Sequence, residues 1–386
     1  MRSRISLPNI HRFLTAALLV FISFAALPGP AHAADDTSIL KRIGSLFLKE
    51  NLDSAKSKEE MAKRVGISVS ELEQICKTLG IDLGRFTPRT DTNLARTIER
   101  LKSDDYDPEA IVSFAGSSPY ALLVEKSTHT VFLLKYEGRK RSLVAMYDCK
   151  TGMETGDKQV QGDLKTPEGI YFFQEKLPRN TIAARVGRGN AFQYGDMAFT
   201  TDYPNDIDQS KRKNGDGIWL HGTDEEFTAT SALDTHGCVV TTNESIRELA
   251  KYITLDRTPI IIVEEIAFLT RAEHDKLRTE MQDLLASWRD SWQTENLDKY
   301  ISCYASEFTD RNRNLAQWRE YKKGVFSAVS VKKIELTDVV LLKHPQGLVF
   351  QFNQYYSASN LTSRNVKALY LVQQNASWKI LAEVIQ

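Results

Sequence analysis

The chain has 386 residues, of which 42% are hydrophobic and 26% are charged, and its 50 basic and 50 acidic residues give a formal net charge of +0. A chain of this length exceeds one compact core, so two or three domains are expected. Because there is neither a basic excess nor an acidic tail, the composition does not favour a nucleic-acid partner.

The N-terminus has the pattern of an export signal. Three arginines between positions 2 and 12 precede the apolar run Phe13 to Ala26, and the small-x-small sequence Ala31-His32-Ala33 follows. The apolar run is short for a membrane-spanning helix, although an uncleaved anchor is the alternative. We predict that residues 1–33 are a signal peptide cleaved after Ala33, and that the mature protein is periplasmic.

Residues 34–115 are predicted to form a small helical segment. Ser57-x-x-Glu60 and Ser68-x-x-Glu71 fit capping boxes, and apolar residues between Val65 and Leu79 recur at helical spacing. The stretch Met61 to Ile81 also resembles a helix-turn-helix. Since an exported chain does not meet DNA, we favour a helical hairpin that packs or forms a homodimer, and we expect no nucleic-acid partner.

Residues 116–265 have the pattern of a β-rich domain. Strand-like runs are separated by glycine-containing turns, and a single helix is predicted from Asn243 to Ile253. The predicted strands are Tyr120 to Val124, Thr130 to Tyr136, Ser142 to Tyr147, Ile170 to Phe173 and Pro259 to Val263.

Residues 271–386 are predicted to form an α+β domain, because helical patterns come first and strands follow. The first helix carries Leu277, Met281, Leu284 and Trp288 on one face. The predicted strands are Val331 to Leu341, Leu348 to Tyr356, Val366 to Val372 and Ser377 to Val384. The whole chain is therefore expected to be multidomain.

The strongest chemical signal lies between Gly217 and Asn243. A short apolar strand ends at His221-Gly222-Thr223, and the sequence Thr235-His236-Gly237-Cys238 follows. An imidazole can take the proton of a thiol, and the thiolate is the nucleophile. If His221 is adjacent, we expect the pKa of Cys238 to lie below the free-thiol value of about 8.5. Glycine before the cysteine lets a substrate carbonyl approach main-chain N–H groups.

Two other interpretations remain open on these residues alone. His221, His236 and Cys238 could bind zinc, with Asp234 as a guess for the fourth ligand, or all could be structural. The other cysteines, Cys76, Cys149 and Cys303, show no CxxC spacing. Their disulfide state does not follow from the sequence, and a buried free thiol is the default for Cys303.

Three motifs together resemble the L,D-transpeptidase (YkuD) catalytic domain: GDLKTPEG at 162–169, HGT at 221–223 and THGC at 235–238. The family usually has serine where Thr235 stands and commonly arginine where Val240 stands. The resemblance implies that Cys238 is the nucleophile, that His221 is its base and that the Gly222 carbonyl orients the imidazole. It implies a tetrapeptide stem of peptidoglycan as donor and no metal or organic cofactor. The residues expected to bind substrate are Thr223, Thr235, His236 and Gly237.

Residues 271–386 resemble the NTF2-like fold, in the aromatic residues Trp288, Trp292 and Trp318 and the closing Trp378-Lys379-Ile380. We interpret the tryptophans as core, and the sequence does not indicate a ligand. The three-part layout resembles the cell-shape-determining LD-carboxypeptidases of helical bacteria. That resemblance slightly favours trimming of the stem peptide over 3-3 cross-linking or protein anchoring. A non-catalytic wall-binding scaffold is the rival hypothesis.

Overall fold

The computed structural model describes residues 68, 70, 91–225, 227, 233–310 and 312–385. The described residues from Asp91 onward form one compact unit. The predicted signal peptide, Cys76 and the predicted helical hairpin lie outside the described residues, apart from Ser68 and Ser70, so cleavage and homodimerisation remain predictions. In the described part, no helix is long and apolar enough to cross a bilayer.

The prediction that residues 34–115 are helical is wrong at the end of this segment. Helix α1 (Asp91–Lys102) is present, but residues 106–114 form the strands β1 (Tyr106–Pro108) and β2 (Ile111–Phe114). Proline lacks the N–H that a helix interior needs, so Pro108 excludes a continuous helix there. β2 then pairs with a strand of the C-terminal sheet, β14 (Val331–His344), which buries its apolar side chains.

A mixed eight-stranded sheet forms the centre of the middle part of the chain, which we define as residues 116–265. Its spatial order is β11-β9-β8-β7-β12-β3-β4-β5. The strands are β3 (Tyr120–Glu125), β4 (Thr130–Glu137), β5 (Lys140–Asp148), β7 (Gly169–Pro178), β8 (Met197–Thr201), β9 (Trp219–His221), β11 (Val239–Val240) and β12 (Pro259–Val263). β3, β4 and β12 are apolar along most of their length because both faces of the sheet are covered.

Smaller elements surround this sheet and shape the site. β6 (Thr151–Gly152) pairs in parallel with β10 (Leu233–Thr235). The helices are α2 (Arg179–Val186), α3 (Asp206–Ser210) and α4 (Asn243–Leu249), with a 3₁₀ helix at Ala191–Tyr194. α4 ends four residues before the predicted Ile253, because i→i+3 hydrogen bonds such as Tyr252 N–H to Leu249 O tighten its last turn.

The C-terminal part packs three helices on an antiparallel sheet in the order β17-β16-β15-β14-β2. The short strand β13 (Phe268–Thr270) pairs with β1 and leads into the first helix. The helices are α5 (Arg271–Gln293), α6 (Leu297–Ile301) and α7 (Leu315–Ala328), and the remaining strands are β15 (Gly347–Ala358), β16 (Thr362–Gln374) and β17 (Ser377–Ile385). Thr270 and Glu273 form a capping box that begins α5.

The three tryptophans predicted to be core are buried: Trp288, Trp292 and Trp318 belong to one apolar cluster with the inner face of the sheet. Two lysines that are also buried lie among them. Lys322 Nζ is 4.4 Å from the Trp292 ring centroid, and Lys367 Nζ forms an ion pair with Glu383 at 2.9 Å. Burial lowers the pKa of Lys322 to about 8.

Candidate active site

His221 ends β9 and is 4% exposed. Its Nδ1 lies 2.6 Å from the Gly222 carbonyl oxygen. Because a carbonyl can only accept a hydrogen bond, Nδ1 carries the proton and Nε2 holds the lone pair. Burial lowers the pKa of His221 to about 4, although the bond to Gly222 opposes this. The imidazole is therefore neutral near pH 7, and Nε2 can act as a base.

Cys238 directly precedes β11, the strand that pairs with β9. β11 and β9 are parallel, with Val239 opposite Leu220 and Val240 opposite His221. Cys238 is two residues before Val240, which lies opposite His221, so the alternation of side chains along an extended backbone puts Cys238 on the same face of the sheet as His221. In this structure the Cys238 thiol donates to the Gly217 carbonyl, with an Sγ to O distance of 3.3 Å.

The expectation of a lowered thiol pKa is wrong for this state of the site. Burial raises the pKa of Cys238 to about 11, while the Trp219 N–H and the charge of Lys158 act in the opposite direction. Because His221 is neutral, no imidazolium is present to stabilise a thiolate. The resting pair is therefore a thiol and a neutral imidazole.

The turn formed by the THGC motif is stabilised by the side chain of Thr235. Thr235 Oγ1 accepts from the Gly237 N–H at 3.1 Å and donates to the Cys238 carbonyl at 2.8 Å. Gly237 has φ +127°, and a Cβ there would lie 2.7 Å from the Lys165 carbonyl oxygen. Thr235 and Gly237, both expected to bind substrate, thus fix the conformation of the turn that carries Cys238.

The other two residues expected to bind substrate differ in their surroundings. Thr223 is buried, and its Oγ1 accepts from the Glu225 N–H at 3.0 Å, which shapes the turn after His221. His236 is exposed. The structure therefore places His221 and Gly222 at the end of β9, with Cys238 directly before the strand that pairs with it, and leaves His236 on the surface.

The GDLKTPEG motif forms a loop that packs against the turn carrying Cys238. Burial disfavours the Asp163 carboxylate, but the Lys158 ammonium at 2.7 Å and three main-chain N–H groups hold the pKa of Asp163 at about 2. Thr166 Oγ1 is buried and accepts from the Gly152 N–H at 2.8 Å. These bonds place the Lys165 carbonyl against Gly237.

Two residues that support the site were not identified from the sequence. The Tyr194 ring lies 4.7 Å from the His221 ring, centroid to centroid. The Asn243 side chain accepts from the Asp196 N–H and donates to Asp224 Oδ1, both at 2.8 Å. Its Oδ1 approaches the backbone so closely that a Cβ on Gly222 would lie 2.4 Å away. The sequence shows Asn243 only as the start of a helix.

The zinc interpretation has no geometric support in the described part of the chain, where no group of three His, Cys, Asp or Glu residues could hold a metal ion. His221 Nδ1 is engaged by a carbonyl, and His236 faces solvent. Of the other cysteines within the described ranges, Cys149 and Cys303 are buried.

Comparison with known proteins matches both parts of the chain to families. The L,D-transpeptidase catalytic domain (YkuD) matches residues 119–262, and the Cds6 C-terminal NTF2-like domain matches residues 280–384. The putative L,D-transpeptidase YafK of Escherichia coli is 28% identical over 138 residues, which are 36% of this chain and 48% of YafK. The chain thus matches about half the length of this curated relative.

Two solved structures are similar over most of the chain. Bd1075 of Bdellovibrio bacteriovorus is 30% identical, with a TM-score of 0.62, and the match covers 73% of this chain and 98% of Bd1075. The helical cell shape determining protein Pgp2 of Campylobacter jejuni is 25% identical, with a TM-score of 0.57, over 76% of this chain and 98% of Pgp2. The chain belongs to the L,D-transpeptidase family and carries a YkuD catalytic domain followed by an NTF2-like domain.

Proposed function

We propose that this protein is a periplasmic cysteine acyltransferase that remodels peptidoglycan. In this proposal Cys238 forms a thioester with a stem peptide and releases D-alanine. One observation carries it: Cys238 directly precedes β11, which pairs in parallel with the strand that ends at His221, and the Gly222 carbonyl holds the imidazole so that Nε2 is free to act as the base. The similarity to YafK and to Pgp2 supports a substrate in the cell wall.

The first half of the reaction forms the acyl-enzyme. The thiol leaves the Gly217 carbonyl and passes its proton to His221 Nε2 while Sγ attacks the carbonyl carbon that joins the third residue of the stem to D-alanine. The Gly237 N–H already donates to Thr235, so we assign the oxyanion to the Cys238 N–H. The carbon–nitrogen bond then breaks, the imidazolium protonates the departing amine, and a thioester remains on Cys238.

The neutral resting pair suits this sequence of steps. A thiol with a raised pKa and an imidazole with a lowered pKa do not form an ion pair before the substrate binds. The proton therefore moves to His221 as the carbon–sulfur bond forms. The resulting imidazolium is then available as the acid that protonates the departing amine. In the second half, His221 takes a proton from water or from an acceptor amine that attacks the thioester.

We favour water as the acceptor, which makes the protein an LD-carboxypeptidase that trims tetrapeptide to tripeptide. The three-part layout resembles the cell-shape-determining LD-carboxypeptidases, and the match to the helical cell shape determining protein Pgp2 along nearly its whole length agrees with that resemblance. Val240, where cross-linking members commonly carry arginine, is buried and aliphatic here. The alternatives are 3-3 cross-linking or protein anchoring, which share the thioester, and a non-catalytic scaffold, which does not need one.

The nucleophile is tested with Cys238→Ala and a matched control, Cys303→Ala, which removes a buried thiol of the NTF2-like domain. Each purified variant is incubated with a defined tetrapeptide muropeptide, and both D-alanine release and the acyl adduct are measured by mass spectrometry. We expect Cys238→Ala to lose turnover and adduct and Cys303→Ala to retain both. Full conversion by a folded Cys238→Ala would refute the assignment.

A further inference from the structure

The NTF2-like domain reaches the catalytic domain through the turn between β14 and β15. At this turn, Gln346 Nε2 donates to Asp157 Oδ2 at 2.6 Å. The Gln346 N–H donates to His344 Nδ1 at 3.2 Å, which fixes the turn. Gly347 allows close packing, since a Cβ there would lie 2.5 Å from Ile207 Cδ1 in α3. Gln346 Oε1 is buried without a partner, a cost that the bond to Asp157 offsets.

The Asp157 carboxylate joins two loops of the catalytic domain. The motif loop, residues 157–168, is closed on itself because Asp157 Oδ1 accepts from the Glu168 N–H at 2.8 Å. The glycine loop, residues 211–217, is tied to it because Lys213 Nζ lies 2.7 Å from Asp157 Oδ2. The Asn214 N–H also donates to the Gln159 carbonyl at 3.0 Å. Gln346 therefore binds the group that holds both loops together.

Both loops contact the turn that carries the nucleophile. In the motif loop, the Lys165 carbonyl packs against Gly237. In the glycine loop, the Gly217 carbonyl accepts the hydrogen bond of the Cys238 thiol at 3.3 Å. A displacement of either loop moves a direct neighbour of Cys238, and productive attack requires the reacting atoms to be placed within a fraction of an ångström.

We propose that Gln346 is a positioning residue for Cys238, so that the β14–β15 turn of the NTF2-like domain is a structural part of the catalytic site. The inference rests on the proposed function for its readout of turnover. A charge-assisted hydrogen bond to a carboxylate that is mostly removed from solvent is stronger than a neutral one, so its loss loosens both loops. An isolated catalytic domain ending near Glu265 would lack this turn, and its Cys238 would be misplaced.

The test compares Gln346→Ala with a matched control in the full chain. Gln351 lies on β15, the strand that follows this turn, and its Nε2 also donates across the contact at 2.6 Å, to the Asp256 carbonyl after α4. Both variants lose a glutamine that bridges the two domains, but only Gln346 contacts the loops beside Cys238. Three quantities are measured: kcat and KM for the tetrapeptide, the rate of iodoacetamide alkylation at Cys238, and the melting temperature.

We expect Gln346→Ala to lower kcat at least about tenfold, with KM changed less than about twofold, and to change the alkylation rate at Cys238. Gln351→Ala should keep the wild-type kcat and alkylation rate, even if its melting temperature falls as much as that of Gln346→Ala. Equal effects of the two variants on kcat and alkylation overturn the proposal. If the wild type releases no D-alanine, the proposed function fails and the alkylation rates alone decide this inference.

A Gln346→Glu variant tests the role of this residue through the pH dependence of kcat, which a purely structural role would not change. At neutral pH its carboxylate repels Asp157, whereas at about pH 5 a proton shared by the two carboxyl groups restores a donor. Lys213, Asp208 and His344 also face this pair, so the profile is compared with that of the wild type under the same conditions. The ratio of variant to wild-type kcat should rise as the pH falls, and a flat ratio contradicts the proposal.

Discussion

The main-chain carbonyl of Lys165 lies so close to Gly237 that a Cβ on residue 237 would be 2.7 Å from its oxygen. Gly237→Ala therefore combines this clash with a φ of +127°, which costs alanine about 1–3 kcal/mol. We predict a lower melting temperature and a loss of D-alanine release of at least about tenfold. Gly138→Ala is the matched control, because φ there is +60° and no atom lies within 4 Å of the added Cβ. Equal losses in both variants would mean that strain alone matters.

The pKa of Cys238 makes a prediction about its reactivity with pH. Because burial raises that pKa to about 11, the thiol stays protonated across the neutral range. We expect the rate of iodoacetamide alkylation at Cys238 to rise about tenfold per pH unit up to about pH 10, as only the thiolate reacts. The measurement is peptide mass spectrometry of timed samples. A plateau reached below about pH 8.5 contradicts the prediction and means that a cation stabilises the thiolate.

The two histidines of the motifs should differ sharply in their importance. His221→Gln removes the proposed base and should lower kcat by about 10²–10⁴-fold, the usual contribution of a positioned acid–base group. His236→Gln changes an exposed side chain and should stay within about threefold of the wild type. Steady-state release of D-alanine by both variants decides the matter. The reverse ranking would mean that His236 is the base.

Motifs of a few residues indicated His221 and Cys238 as the reacting pair, and the structure puts His221 at the end of β9 and Cys238 directly before β11, while their catalytic roles stay a prediction. The sequence also predicted the main strands of both domains, from Tyr120–Glu125 to Ser377–Ile385, since their apolar patterns are local. Contacts between distant parts of the chain were not predictable. Asn243 supports Gly222 only through the folded structure, and residues 111–114 pair with a strand more than 200 positions away.

The same limit explains the wrong expectation for the thiol pKa. Adjacency in a motif indicates that an imidazole is near, but not whether that imidazole is charged. The fold buries His221, and the thiol hydrogen bonds to Gly217 in a loop that the motifs do not include. A pKa depends on desolvation by residues from the whole domain, so it requires the three-dimensional structure.

His344, at the β14–β15 turn, should make the stability of the protein depend on pH. Burial lowers its pKa from 6.5 to about 4, and Asp157 opposes this shift. The unfolded chain therefore binds a proton that the folded chain excludes, and stability is lost as the pH falls from 6.5 to 4, by at most about 3 kcal/mol. His344→Asn keeps an acceptor for the Gln346 N–H but does not titrate.

The measurement is urea unfolding of wild type and His344→Asn at pH 6.5 and at pH 4. The stability of the wild type relative to the variant should fall between the two values. The buried Asp202, whose pKa is raised to about 7, acts with the opposite sign but is common to both proteins and cancels. A difference that does not change with pH would mean that His344 is protonated in the folded state.

The acceptor that resolves the thioester decides what the enzyme makes. Water reaches an open site at high concentration, whereas a peptide amine must be held by a dedicated groove that lowers its entropic cost. We predict that tetrapeptide alone gives tripeptide, and that excess acceptor stem peptide leaves tripeptide as the main product. Chromatography with mass spectrometry quantifies tripeptide and dimer in both reactions, and Cys238→Ala supplies the background. If dimers exceed tripeptide when acceptor is added, the protein is a cross-linking enzyme, with Cys238 and His221 unchanged in role.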